Sequence, residues 1–202
     1  MKKNILIISG ANAKISQSLF EYIFKVKKVT EFSEVILITK SKNLFNYSLD
    51  NLIKIHNIKL DYNKKMNLSK LKKICNNCNI FIFHAAALVP SKQNFKNSFY
   101  KINCYSPILL IKELKIISDN LFLFYISSTS VYDKFSNSIL TESAPKTKED
   151  KYGLSKLKFE KEIKKIKLKS FGLRVPVLLT KNVENNFFSK IKKQINNKEK
   201  IS

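Results

Sequence analysis

The chain has 202 residues and a formal net charge of +23. It carries no apolar run long enough to cross a bilayer, so it reads as one domain with a substantial buried core. A strongly basic balance invites a nucleic-acid partner, yet Arg174 is the one arginine among 38 basic residues and the lysines are spread along the whole chain. Planar, bidentate recognition of phosphates and bases favours arginine, so the charge is assigned to a solvated surface and no nucleic-acid partner is expected.

The chain opens with Ile5-Leu6-Ile7-Ile8, a run too short for a secretion signal and followed by nothing that reads as a cleavage site. It reads as a first buried strand, which implies a cytoplasmic protein with no membrane attachment. Short apolar runs then alternate with longer amphipathic stretches, the pattern of a parallel sheet covered by helices. Strands are predicted at 5–9, 34–39, 53–60, 79–84, 121–127 and 171–175, and helices at 15–27, 67–75, 94–117, 152–167 and 185–196. Right-handed crossovers wind such a series into an α/β fold, a doubly wound parallel sheet with helices on both faces.

Gly10 follows the first strand, where a dinucleotide's pyrophosphate would meet a helix. The loop Gly10-Ala11-Asn12-Ala13-Lys14-Ile15-Ser16 reads G-x-x-A-x-x-S where a full fingerprint would read G-x-x-G-x-x-G. The second strand ends in Thr39-Lys40-Ser41-Lys42, with no acid to accept from a ribose 2′-hydroxyl. Two lysines there suit a 2′-phosphate, so NADP is mildly favoured over NAD. Asp61, ending the third strand, is suited to the adenine amino group or equally to a strand-end turn. Phe83-His84-Ala85-Ala86-Ala87 ends the fourth strand in small residues that would let a flat ring approach the backbone, or a helix pack closely. Cys75-Asn76-Asn77-Cys78 has the spacing of a redox or zinc half-site, but no second ligand pair exists, and two reduced thiols at a helix-to-strand junction are expected, with no metal.

The most informative segment is Tyr152-Gly153-Leu154-Ser155-Lys156, downstream of Ser127-Ser128-Thr129-Ser130-Val131-Tyr132. A tyrosine and a lysine four apart on a helix share one face. A phenol ordinarily ionises near pH 10, and an ammonium nearby favours its phenolate. With a strand-end hydroxyl to hold a substrate oxygen, these groups suit proton transfer coupled to hydride transfer.

In this order the motifs, together with Asn103 and Leu173-Arg174-Val175-Pro176, resemble the extended short-chain dehydrogenase/reductase family, and within it the NAD(P)-dependent epimerase/dehydratase branch that works on nucleotide sugars. The resemblance spans nearly the whole chain and implies a Rossmann-like fold with NAD(P) as cofactor. It implies Tyr152 as catalytic acid/base, Lys156 lowering the tyrosine's pKa and bonding the nicotinamide ribose, and Ser128 as the substrate-orienting hydroxyl. Ser127, Thr129 and Ser130 stay open as alternatives for that hydroxyl. Cofactor contacts are implied for Gly10, Ala13, Lys14, Ile15, Lys40, Asp61, Ala86, Ala87, Asn103 and Val175, besides Tyr152 and Lys156. Glu142 and Arg174 also fall where the family places such residues. The implied partner is a nucleotide sugar or another small molecule, and the resemblance admits a homodimer that no patch in the sequence demands.

Two departures bear on activity. The glycine loop is eroded at Ala13 and Ser16, which should weaken pyrophosphate binding. The chain also reaches residue 202 about where family members begin a smaller substrate-gripping lobe, so 1–202 is expected to be a single NAD(P)-binding domain with that lobe largely absent. Remote binding energy contributes to turnover, so the competing expectation is a non-catalytic NAD(P)-binding or scaffold protein derived from the family.

Overall fold

The structure is a computed structural model that describes residues 2–27, 29–42, 53–90, 98–133 and 141–176. Six strands form one sheet: β1 (Asn4–Ser9), β2 (Glu34–Thr39), β3 (Lys54–Lys59), β4 (Asn79–His84), β5 (Leu121–Ser128) and β6 (Lys169–Val175). All pairings are parallel, in the order β3-β2-β1-β4-β5-β6. This order reverses direction between β1 and β4, the place where doubly wound sheets open a crevice at their carboxyl ends.

Side-chain alternation along the strands builds two separate cores. Ile5, Ile7, Ile36, Ile38, Ile80 and Ile82 face one way and pack against helices α2 (Ser69–Cys75), α4 (Ser106–Ile117) and α5 (Lys151–Ile166). Leu6, Ile8, Val35, Leu37 and Phe83 face the other way, onto Phe20 and Phe24. Phe20 ends helix α1 (Lys14–Phe20), and Phe24 lies in the π-helical turn that continues it over Glu21–Val26. Each such side chain, removed from water, contributes roughly 1.5–3 kcal/mol, which explains why these runs are strands buried on both faces. β6 is an edge strand and mostly exposed.

The observed strands fall within two residues of the predicted ones, and those at 34–39 and 79–84 coincide with them. Three helices differ in form. The stretch predicted at 15–27 switches to π-helical hydrogen bonding at Glu21, and the stretch at 94–117 is built in three pieces: α3 (Ser98–Tyr100), a π-helical segment Lys101–Tyr105, and α4. The helix predicted at 152–167 begins one residue early because Asp150 caps it, accepting from the Tyr152 and Gly153 backbone N–H groups at 2.9 and 3.2 Å. The helix predicted at 185–196, and residues 94–97 of the earlier one, lie outside the described residues.

Cys75, Cys78 and Cys104 are free and buried. Burial pushes the Cys75 thiol up to about 12 and the Cys104 thiol to about 11, so neither is a reactive thiolate at neutral pH. No metal-binding cluster occurs among the described residues, nor any helix there long and apolar enough to cross a membrane.

Candidate active site

At the carboxyl ends of β1, β2 and β3, a cavity of about 360 Å³ is lined by Gly10, Asn12, Ala13, Lys40, Asp61, Tyr62, Ala86 and Ala87, among others. Its floor depends on close backbone approach. Gly10 sits at φ +83°, and a Cβ there would lie 2.6 Å from the Ala86 backbone nitrogen. A side chain at this position would be both strained and obstructed, so β1 and β4 can exit side by side only with glycine here.

Ser16, where a third glycine was expected, is fully buried and donates its hydroxyl to the Gly10 carbonyl at 2.9 Å. The residue that erodes the sequence fingerprint therefore braces the turn from behind. Lys14 and Ile15 form the first turn of α1 and are not among the residues lining this cavity; Lys14 is exposed, and Ile15 packs against the second core.

The β2 end is similarly fixed. The Thr39 hydroxyl donates to the Ser41 carbonyl at 2.6 Å and the Asn12 amide to the Lys42 carbonyl at 3.2 Å, leaving Lys40 exposed at the cavity edge. Asp61 is a strand-end turn aspartate that also borders the cavity, its carboxylate accepting from the Asn63 backbone at 2.9 Å.

The catalytic candidates come from β5 and α5. Gly153 packs the first turn of α5 onto the turn after β5, so tightly that a Cβ would lie 1.9 Å from the Ser130 carbonyl oxygen. This contact brings Tyr152 to Ser128, whose side chain acts on the phenol and accepts from the Ser130 backbone N–H at 3.1 Å. Phe99 meets the Tyr152 ring edge-on at 6.0 Å. The choice among neighbouring hydroxyls narrows by elimination: Ser127 is buried and donates to Glu160 at 2.5 Å. Val175, at the end of β6, is register partner to Ser128.

Lys156 lies one turn beyond Tyr152 and is 2% exposed. Burial pulls its ammonium down to about 8, with the Glu160 carboxylate opposing the fall. Tyr152 departs from expectation. Burial raises its phenol above the ordinary value, the Ser128 hydrogen bond opposes this, and Asp150 adds to the rise; Lys156 is not among the groups acting on it. Burial thus outweighs the Ser128 contribution, and the phenol keeps its proton at neutral pH and stands as an acid in this state.

Asn103, expected at the cofactor, is fully buried with its amide committed elsewhere. It accepts from the Leu88 backbone N–H at 2.7 Å, donates to the Leu88 carbonyl at 3.0 Å and to the Ser155 hydroxyl at 3.1 Å. It is a clamp that ties the exit of β4 to the helix carrying Lys156. Arg174 likewise acts within the protein. Its guanidinium grips both Glu160 carboxylate oxygens at 3.1 and 2.6 Å and reaches the Tyr132 hydroxyl at 2.8 Å and the Glu142 backbone carbonyl at 3.3 Å. The Glu142 side chain takes no part in that contact.

Sequence reading missed Glu160, Ser9 and Tyr62. Glu160 was discoverable, being four residues beyond Lys156 on the same helix face. Ser9 and Tyr62 are joined at 2.6 Å across a separation of 53 residues, and no local signal pairs them.

Comparison with known proteins matches residues 6–198 to the NAD dependent epimerase/dehydratase family. The chain belongs to this family. None of the curated proteins matches it. Among solved structures, UDP-glucuronic acid 4-epimerase from Bacillus cereus in complex with UDP-glucuronic acid and NAD superposes with a TM-score of 0.71 at 20% identity, covering 97% of this chain and 64% of that one. WbmG from Bordetella bronchiseptica in complex with NAD and UDP gives a TM-score of 0.75 at 14% identity, covering 100% of this chain and 62% of that one. MoeE5 in complex with UDP-glucuronic acid and NAD gives 0.70 at 18% identity, covering 95% and 60%. The family chain thus spans less than two thirds of each of these relatives and shares their Rossmann-like fold.

Proposed function

We propose that the chain is the cofactor-binding and catalytic part of an NAD(P)-dependent epimerase/dehydratase acting on a nucleotide sugar. The observation that carries the reading is the convergence of Ser128 and Tyr152 beside a buried Lys156, on the carboxyl-end rim that also holds the Gly10 cavity. Gly10, Asn12 and Ala13 offer a diphosphate close backbone approach, and Lys40 and Asp61 flank the place for an adenosine, so the residues present fit a dinucleotide. When bound, that cofactor supplies hydride acceptance and return.

The chain's own residues supply the rest. Ser128 orients a sugar hydroxyl or carbonyl oxygen, and Tyr152 gives or takes its proton. Lys156 holds the nicotinamide ribose hydroxyls and, while protonated, favours the phenolate as the proton leaves. Alignment of these groups lowers the barrier by removing the entropy of assembling them.

For the 2′-phosphate that distinguishes NADP from NAD, Lys40 and the Lys42 turn favour NADP(H): there is no carboxylate between Thr39 and Lys42 to repel it. NADPH is expected to bind more tightly than NADH, with the difference shrinking as salt rises. Tighter NADH binding at every salt concentration would overturn this preference. The soluble-protein reading, a cytoplasmic setting and a homodimer belong to the same proposal.

The deciding experiment is turnover of UDP-sugars by the wild-type chain and by Tyr152→Phe, with cofactor binding measured in parallel by nucleotide fluorescence. Tyr152→Phe is expected to bind cofactor like the wild type and to lose turnover; equal turnover would remove the mechanism. The Tyr152 phenol, raised above its ordinary value by burial, favours one second reading, a non-catalytic NAD(P)-binding protein. It predicts cofactor binding with no Tyr152-dependent turnover on any substrate.

A further inference from the structure

His84 and Glu160 are buried side chains that the proposed chemistry does not use. His84 ends β4 and bonds Ser9, on the neighbouring β1, at 3.0 Å. Glu160 lies one helical turn beyond Lys156 on α5, the helix that also carries Tyr152. Burial alone would raise its pKa, yet the bonds from Arg174 and Ser127 hold it below the ordinary carboxylate value, so it is ionised at neutral pH.

An ionised carboxylate only accepts, which fixes the direction of each bond it makes. Ser127 Oγ and Arg174 Nε donate to Oε1 at 2.5 and 3.1 Å, and Arg174 Nη2 donates to Oε2 at 2.6 Å. Ser127 and Arg174 are register partners near the carboxyl ends of β5 and β6, and the next pair along is Ser128 with Val175. One side chain of α5 thus closes on two adjacent strands, beside the rung that holds Ser128.

Arg174 extends the link. Its Nη1 donates to the Tyr132 hydroxyl at 2.8 Å and to the Glu142 carbonyl at 3.3 Å, and its guanidinium lies 5.0 Å over the Tyr132 ring. There the two backbone segments are paired: the Asp133 N–H donates to the Pro145 carbonyl and the Thr147 N–H to the Val131 carbonyl, each at 2.9 Å. Thr147 Oγ1 then accepts from the Asp150 N–H at 3.1 Å, and Asp150 caps the turn of α5 that carries Tyr152. A continuous series of bonds runs from Glu160 through β6 and the capping segment back to Tyr152.

We infer that Glu160 is a positioning residue for Ser128 and Tyr152, its carboxylate binding the strand that carries one to the helix that carries the other. An amide cannot replace it. Glu160→Gln offers one acceptor oxygen and an NH2 group, and that NH2 must face an Arg174 N–H in either orientation. Loss of the link frees the end of β5 to slide against α5. A displacement of about 1 Å between reacting groups can cost roughly a hundredfold in rate. The Gly10 cavity, at the ends of β1, β2 and β3, is untouched, so the effect falls on kcat.

This inference rests on the proposed roles of Ser128 and Tyr152, and one of its readouts needs no turnover. Ser127→Ala removes the tie to β5 and should lower kcat about tenfold at unchanged KM, and Ser127→Thr, which keeps the hydroxyl, should recover most of it. Glu160→Gln should lower kcat further. Glu162→Gln, which loses ion pairs to Lys158 and Lys165 on the same helix, should match the wild type. All are assayed well below their melting temperatures, where a merely structural role would leave kcat per folded molecule unchanged. Wild-type kcat in both Ser127→Ala and Glu160→Gln would overturn the inference. In parallel, ring-¹³C-tyrosine spectra of the full chain, with Tyr152→Phe identifying the Tyr152 resonance, should show it displaced in Ser127→Ala and restored in Ser127→Thr. A Tyr152 resonance unmoved in Ser127→Ala would overturn the inference even in a chain that turns over substrate. Absence of turnover in the wild type would defeat the functional proposal and leave the resonance test standing.

Discussion

Replacing Lys156 by methionine should make the chain more stable, and the gain should depend on pH in a defined direction. The lysine is 2% exposed and its ammonium is pulled from an ordinary 10.5 to about 8. A folded-state pKa below the unfolded one means that the unfolded chain holds the proton more tightly, so folding is penalised wherever the amine is charged. At pH 7 that penalty is about 3 kcal/mol at 1.36 kcal/mol per unit. It lessens as pH rises from about 8 towards 10.5, where both states lose the proton. Methionine has a similar shape and no charge. Lys156→Met is therefore expected to raise Tm at pH 7 by several degrees, roughly 6–12 °C for a chain this size, with the difference from wild type shrinking above pH 8. Paired thermal melts across that range are the assay. A variant less stable than wild type at pH 7, or a gain constant from pH 7 to 10.5, would refute the reasoning that burial governs this amine.

Gly153→Ala places a methyl group against the Ser130 carbonyl at 1.9 Å, so α5 must shift away from the β5 turn; it should cut turnover at least tenfold while cofactor affinity changes little, checked by steady-state kinetics beside fluorescence titration. Ser16→Ala removes the brace on the Gly10 carbonyl and should cost about 1 kcal/mol of stability, with weaker cofactor binding, read by urea melts and titration. Arg174→Ala leaves Glu160 buried without its cation and should destabilise by roughly 3 kcal/mol. The Glu160 pKa is held below its ordinary value chiefly by Arg174 and Ser127, against burial. Its stabilisation is thus present above the unfolded carboxylate pKa and lost as pH falls through the lower folded one, so Arg174→Ala should flatten the acid limb of the stability profile.

The sheet was legible in the sequence because each central strand is buried on both faces. Ile36 and Leu37 must both be apolar for β2 to lie between two helix layers, so β2 appears as an unbroken run. The α5 helix was legible from Tyr152 and Lys156 on one face. The π-helical turns at Glu21–Val26 and Lys101–Tyr105 were not, because a change in hydrogen-bond span leaves no mark on composition. Nor could spacing separate contact from support. Asn103 and Arg174 occupy family positions, yet their side chains are committed to Leu88, Ser155 and Glu160, partners fixed only by the tertiary fold. The glycine loop poses the same difficulty, since the bond from the Ser16 hydroxyl to the Gly10 carbonyl leaves no trace in the spacing of the fingerprint.

The bond between Ser9 and His84 spans 75 residues of chain, across the seam where strand order reverses. Parallel neighbours cannot be zipped by a tight turn, so this seam closes only after the intervening segments have been brought round. The cavity and the His84 imidazole straddle it. We therefore expect competence to bind nucleotide to return late in refolding, after helical signal has recovered, and stopped-flow fluorescence with nucleotide against far-ultraviolet circular dichroism would show the lag; simultaneous recovery of the two signals would contradict it. In such a chain, ligand present during synthesis acts on the final closure and selects the correctly joined halves.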